Sequence, residues 1–403
     1  MRSACSRNSS RCPAAASSAD VSASRQPLVG IVAGEPSGDM LGAHFIRSLR
    51  KHVPEARFVG IAGPRMQGAG AESLFPMEKL TVRGYVEALR HINEILGIRR
   101  KLARHFLAHR PDLFVGVDAP DFNLDLEATL KRRGIPTVHY VSPSIWAWRG
   151  ERIHKIKRAV SKILTVFPFE APLYEKAGVP VAYVGHPLAD QLAAMPSPIE
   201  MRLQLRLPPT GPVVALLPGS RVSELEQLAD LFVAAATRIA EAVPDVVFLA
   251  PMANRDTKAL FEAALYRSEA SLNVIVMFGH SHEAMAAADV VLLASGTATL
   301  EAALLKRPMV IAYRVPRLTA WLMKRRGYVD HVGLPNILAG EEIVPELLQK
   351  DATPEKLADA ALRLLRDKNA RAALEERYEQ MSDALRQNSG DRLAEAVLPM
   401  LGA

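Results

Sequence analysis

The chain has 403 residues, 49% of them apolar and 23% charged, with a formal net charge of +7. That is ordinary globular composition, which excludes a collagen-like or wholly disordered chain, and the length favours two domains over one. Both cysteines, Cys5 and Cys12, precede the body of the chain, so a disulfide framework and a cysteine-ligated zinc site are excluded there. A basic balance suits a phosphorylated substrate, a nucleic acid or an anionic membrane surface without choosing among them.

Residues 1–26 are rich in Ser and Ala and carry Arg2, Arg7, Arg11 and Arg25 against the single acid Asp20. They read as a disordered extension; an organelle transit peptide is the alternative. From Pro27 the pattern becomes strand, turn, helix, repeated. Pro27–Ala33, Arg57–Ala62, Leu113–Val117, Ile135–Val141, Ile163–Phe167 and Val181–Val184 are apolar runs of strand length, separated by helical sequence. Such runs predict a parallel sheet covered on both faces. Met195–Gly211 holds four prolines and predicts a linker. The pattern then restarts with Val213–Leu217, Val246–Ala250, Val274–Met277, Val290–Leu293 and Met309–Ala312, and beyond Pro354 it is helical. The expected organisation is α/β: a Rossmann-like, doubly wound domain over 27–195, a second over 211–352, and C-terminal helices over 353–403. Those helices are expected to pack back on the first domain or to be exchanged in a dimer.

Two such domains face each other across a cleft, and ligands of open α/β sheets sit beyond the carboxyl ends of the strands. In the second domain, Leu217-Pro218-Gly219-Ser220-Arg221 ends a strand and opens a helix. Helix N-terminal amides and the Arg221 fork suit a diphosphate; the alternative is a plain turn with Arg221 paired to Glu224 or Glu226. Ser295-Gly296-Thr297-Ala298-Thr299-Leu300-Glu301 repeats the arrangement. Ser295, Gly296 and Thr297 offer hydroxyls and close backbone approach, and Glu301 suits the two hydroxyls of a ribose; the alternative is a helix cap with a surface Glu. Neither loop continues as Gly-Lys-Ser/Thr, which disfavours ATP-dependent phosphoryl transfer. No Asp-X-Asp pair is placed to hold a metal on a diphosphate, and no cofactor is expected.

In the first domain, Gly34-Glu35-Pro36-Ser37-Gly38-Asp39 has the glycines of a phosphate loop but two acids. Glu35, Ser37 and Asp39 therefore suit sugar hydroxyls, although Asp39 also suits a helix start. Asp118 ends a buried run in Val117-Asp118-Ala119-Pro120-Asp121-Phe122-Asn123 and is the candidate general base; otherwise it is an acid bonded to its own turn. Asp121 and Asn123 read as helix caps. Ser142–Arg149 places Trp146 and Trp148 in one turn, lining a site or burying area between loops. His186 reads as a base or as a capped or core histidine. Ile92–Arg110 and Arg314–Arg326 mix apolar and basic residues, as an interfacial helix on anionic lipid does and as a core-facing helix with a basic outer face does.

The blocks VAGEPSGD (Val32–Asp39), VDAPDFN (Val117–Asn123), SPSIWAW (Ser142–Trp148), LPGSR (Leu217–Arg221), SGTATLE (Ser295–Glu301) and LPN (Leu334–Asn336) occur in the order in which they resemble the lipid-A-disaccharide synthases. The likeness runs from Pro27 to near the C-terminus and leaves residues 1–26 outside it. It implies a GT-B fold and a metal-independent, inverting glycosyltransferase of a Gram-negative envelope pathway. The implied donor is UDP-2,3-diacylglucosamine and the implied acceptor 2,3-diacylglucosamine 1-phosphate. The implied setting is the cytoplasmic face of the inner membrane, with an anionic membrane surface and a second copy of the chain as partners and no nucleic acid. By the resemblance, Asp118 matches the proposed base, Arg221 an essential arginine beside the diphosphate, Glu301 the ribose contact and Asn336 a functionally important asparagine. A UDP-sugar epimerase or hydrolase of the same fold, and a nucleotide-sugar-binding protein without chemistry, are the competing readings.

Overall fold

The computed structural model describes residues 26–80, 85–146, 150–315 and 331–401. Cys5, Cys12, Trp148 and the basic segment from Arg317 to Arg326 lie outside the described residues.

Two wholly parallel sheets form the framework. In the first, β1 (Leu28–Ala33), β2 (Arg57–Ile61), β3 (Ala71–Ser73), β4 (Leu113–Val117), β5 (Thr137–Tyr140), β6 (Lys162–Thr165) and β7 (Val181–Tyr183) lie in the order β3-β2-β1-β4-β5-β6-β7. In the second, β8 (Val213–Leu217), β9 (Val247–Met252), β10 (Val274–Phe278), β11 (Val290–Ala294), β12 (Met309–Tyr313) and β13 (Glu346–Leu348) lie in the order β10-β9-β8-β11-β12-β13. The chain direction across each sheet reverses once, between β1 and β4 and between β8 and β11. Those two points are where a doubly wound sheet opens a crevice.

Both faces of each sheet are covered, which is why the strands read as continuous apolar runs. On β8, Val213, Ala215 and Leu217 join one core while Val214 and Leu216 join another on the opposite face. Helix α9 (Val222–Ala242) covers the latter with Leu225, Leu228, Phe232, Ala236 and Ile239, one stripe at three- and four-residue spacing. Each buried aliphatic or aromatic side chain contributes roughly 1.5–3 kcal/mol. The former core runs on, behind the cleft, into the first lobe.

The two edge strands β3 and β13 escape the sequence pattern, because three residues are too few to show a period. The Met195–Gly211 segment also differs from expectation. It contains a helix, α8 (Pro198–Gln204), started by a capping box between Ser197 and Glu200. Arg202, 6% exposed, then binds Ala287 O at 2.8 Å and Asp289 at 2.9 Å, clamping the connection to the second lobe.

The last three helices are α14 (Pro354–Arg366), α15 (Lys368–Leu385) and α16 (Ser389–Val397), after the short α13 (Leu334–Ala339). Helix α14 packs on α9, α15 crosses back, and α16 lies against α1 (Pro36–Arg50) of the first lobe. The docking is polar at its centre. Ser389 N donates to Asp190 Oδ2 at 2.8 Å, and Ser389 Oγ meets His44 Nε2 at 3.1 Å. Burial pushes His44 down to about 4. A histidine neutral in the fold but free to protonate when unfolded adds stability above its unfolded pKa, near 6.5, that is lost as pH falls through about 4. Lowering the pH from 7.5 to 5 is therefore expected to cost about 2 kcal/mol at this histidine. His44→Gln should shrink the accompanying drop in melting temperature, and an unchanged drop would remove His44 as its source.

Candidate active site

Asp118 after β4 and Ser295 after β11, one at each reversal point, line one cavity of about 970 Å³ that both lobes enclose. Ser37, Asp39, Asp118, Ser142, Trp146, Glu170 and His186 line it from the first lobe, and His282, Ser295, Gly296, Thr297, Glu301 and Tyr313 from the second.

The first reversal point carries Glu35 and Asp118. Because Ala33 pairs with Val117, the chain leaves β1 and β4 side by side. Asp118 and Ala119 both adopt left-handed backbone, with φ of 51° and 45°. Such conformations cost on the order of 1–3 kcal/mol and persist only where surroundings hold them. Asn123, fully buried on α4 (Pro120–Lys131), does the holding: its Nδ2 donates to Asp118 O at 2.8 Å. The turn presents the half-buried Asp118 side chain to the cavity.

The second reversal point carries Arg221 and the Ser295–Thr297 loop. Gly219 and Gly296 have φ of 138° and 151°, which a side chain would resist, so each strand turns sharply into its helix. Arg221 spans the gap: its NH2 group lies 3.5 Å from Glu35 Oε2, and its NH1 group 3.6 Å from Glu224. Both the expected pairing with Glu224 and the approach to the opposite lobe are therefore present. Burial raises the Glu35 carboxyl above its usual range, Asp118 adds to the rise, and Arg221 opposes it. A cation of one lobe and two carboxylates of the other thus share one gap.

Glu301, on α12 (Thr297–Leu304), lines the cavity with its Oε2 3.2 Å from His282 Nε2. The hydrogen bond to Glu301 raises the His282 pKa. His282 itself was not legible, since nothing around it in sequence points to Glu301.

Two of the expected site residues have their polar groups engaged inside the protein. Asp39 is 3% exposed, and its carboxylate accepts the amides of Arg65 at 2.9 Å and Met66 at 3.0 Å. It caps α2 (Pro64–Gly68) and builds part of the cavity wall. Asn336 is fully buried. Its Nδ2 donates to Val344 O at 2.9 Å and Glu346 Oε1 at 2.8 Å, and its Oδ1 accepts from Ile343 at 2.8 Å and Val344 at 2.9 Å. Every polar valence is used inside the protein. Glu346 in turn accepts from Val332 at 2.8 Å and Gly333 at 2.9 Å, while Ser295 Oγ donates to Val332 O at 3.0 Å. Asn336 therefore braces the loop that backs the Ser295 site. Asn336→Ala is expected to cost about 3 kcal/mol by leaving these groups unpaired. It should lower the melting temperature, and a melting temperature equal to the wild type's would remove this bracing role.

His186 starts α7 (Pro187–Leu192), and its Nδ1 accepts from Leu188 N at 3.2 Å. Burial pushes the ring down to about 4, so the capped-histidine alternative describes it. Trp146 lines the cavity and donates to Glu170 Oε1 at 3.2 Å. Burial pushes Glu170 up to about 7 against the lowering by its hydrogen bonds. The basic helix α3 (Tyr85–Ala108) buries Ile98, Leu102 and Phe106 and ties Arg99 to Asp125 at 2.7 Å, as a core-facing helix does. Among the described residues no helix is long and apolar enough to cross a membrane, and no group of three His, Cys, Asp or Glu converges as metal ligands.

Comparison with solved structures places the fold. The chain superposes on a UDP-GlcNAc 2-epimerase from Neisseria meningitidis with a TM-score of 0.62 at 13% identity, covering 93% of this chain and 100% of that one. The glycosyltransferase of kitacinnamycin gives 0.63 at 16%, covering 94% and 100%. At such identities the likeness is one of fold, GT-B. Sequence relatives reach further. The chain is 57% identical over 376 residues to the lipid-A-disaccharide synthase of Methylobacillus flagellatus, covering 93% of this chain and 100% of that one. It is 54% identical over 378 residues to that of an Azoarcus species, covering 94% and 97%. The epimerase and non-catalytic readings are not favoured against these. With the family model for lipid-A-disaccharide synthetase matching residues 29–398, the chain belongs to the lipid-A-disaccharide synthase family and is a glycosyltransferase of GT-B fold.

Proposed function

We propose that the chain transfers 2,3-diacylglucosamine from its UDP carrier to the primary hydroxyl of 2,3-diacylglucosamine 1-phosphate, with inversion and without a metal or other cofactor. Asp118 takes the hydroxyl proton. The freed oxygen bonds to the donor's anomeric carbon as the bond to the β-phosphate oxygen breaks and its electron pair leaves with UDP. Arg221 and the amides at Gly296 and Thr297 hold the departing charge in place before the reaction begins. Glu301 accepts from the ribose, Ser295 positions the loop, and Glu35 and Ser37 meet sugar hydroxyls.

The observation that carries this reading is the 3.5 Å approach of Arg221 to Glu35, beside Asp118, across the gap between the lobes. A diphosphate entering there replaces a carboxylate as the partner of the arginine, and the base stands on the other side. The same reading sets the protein at the cytoplasmic face of the inner membrane, bound to anionic lipid, as a homodimer whose C-terminal helices pack back on their own first lobe. Incubation with both lipid substrates and a chelator tests the chemistry: disaccharide 1-phosphate and UDP should form in equal amounts. UDP release without acceptor, or loss of product with the chelator, would refute it.

A further inference from the structure

The first-lobe wall of the cavity holds a second polar group, at the ends of β5, β6 and β7, that the transfer step does not use. Ser142, Glu170 and His186 line the cavity there although they are only 6%, 1% and 8% exposed. Ser142 Oγ bonds Tyr174 Oη at 2.8 Å. Glu170 accepts the Trp146 indole and the Phe167 amide, each at 3.2 Å, so it ties two segments of the wall together.

His186 is fixed in one tautomer. A nitrogen that accepts the Leu188 amide carries no proton, so the proton of the neutral ring sits on Nε2, across the ring from the helix it caps. Its ring lies 5.7 Å from that of Phe167, and its backbone amide donates to Leu385 O at 2.9 Å, which leaves it little room to turn. The ring's burial keeps it uncharged at neutral pH. The result is a neutral donor, not a base and not a cation.

Around these groups the lining is apolar: Met40, Leu41, Val141, Val166, Phe167 and Leu188. Arg65 is the one arginine or lysine among the described lining residues, and its charge is felt at His282, toward the other lobe. A phosphate placed on this wall would meet a buried carboxyl and no cation. A bare sugar would leave the apolar side uncovered. The group that matches is a neutral carbonyl continued by an alkyl chain.

We propose that this wall is the subsite for an acyl group of the acceptor, with His186 Nε2–H donating to the acyl carbonyl oxygen and Val166, Phe167 and Leu188 covering the first carbons of the chain. Glu170 is a positioning residue, acting through Trp146 and the Phe167 amide. The inference rests on the acylated substrates of the proposed function.

The test compares the natural-type acceptor with an analogue in which oxygen replaces the 2-nitrogen and both acyl chains become ether-linked alkyl chains of equal length, so that it lacks both carbonyls. His186→Ala should raise KM for the acyl acceptor about tenfold, change kcat little, and leave KM for the ether analogue where the wild type has it. His186→Gln, which keeps an N–H donor, should recover part of the loss, with UDP affinity by calorimetry and the melting temperature as controls on folding. Equal weakening of both acceptors by His186→Ala, or a fall in kcat alone, would overturn the subsite while the transfer reaction stands. A wild type that makes no disaccharide from either acceptor would remove the reaction and the subsite with it.

Discussion

Asp118→Asn is expected to leave the protein folded and its UDP affinity intact while turnover falls by about two to four orders of magnitude. Asparagine has nearly the same shape and tolerates left-handed backbone, so the φ of 51° at this position is not an obstacle. The Asn123 hydrogen bond to the Asp118 carbonyl also survives, since it involves the backbone. Only the ability to take a proton is lost. The nucleotide lies against the second lobe in this scheme, so calorimetric UDP binding should not change. Turnover near the wild-type level would remove Asp118 from proton transfer; loss of UDP binding would mean that it shapes the nucleotide site instead.

Arg221→Ala is expected to weaken UDP binding and to lower turnover by about two to three orders of magnitude, with little change in stability. The side chain is 59% exposed, and its two ion pairs, with Glu35 and Glu224, are of the kind that contributes about 0–1 kcal/mol. Its removal also leaves Glu35 and Asp118 facing each other unopposed, which adds repulsion against the incoming diphosphate. Arg221→Lys keeps the charge but not the two-pronged donor, and should recover only part of the activity. Unchanged UDP affinity in Arg221→Ala would separate this residue from the diphosphate.

The architecture was legible because buried parallel strands write themselves as unbroken apolar runs; Leu113–Val117 and Val213–Leu217 coincide with β4 and β8. The residues closing those runs, Asp118 and Arg221, were legible for the same reason: a strand end at the reversal of a doubly wound sheet is a place, and sequence shows what stands there. What a polar side chain faces is a different matter. Asp39 and Asn336 carry the right atoms for a sugar, yet their partners are amides at residues 65 and 66 and a carboxylate at 346, contacts made only once loops fold over. Glu170 and His282 were missed from the other side, as each gains its role from a residue of another element. The helix in 198–204 was hidden by its own prolines, which mark a linker and a helix start equally well.

The hydrogen bond from the His186 amide to Leu385 O has a counterpart in time. Tyr183 Oη also reaches Ala384 O at 2.6 Å, and Lys162 reaches Ala396 O at 2.7 Å, so the start of β6 and the end of β7 are finished by residues 384–396, which are made after the whole second lobe. During synthesis the amino-terminal lobe must wait, its flank uncovered, while the whole second lobe emerges and folds. Such non-local closure is slow and exposes apolar surface meanwhile. A released chain truncated after residue 380 should therefore carry a settled second lobe beside a first one still open to proteases.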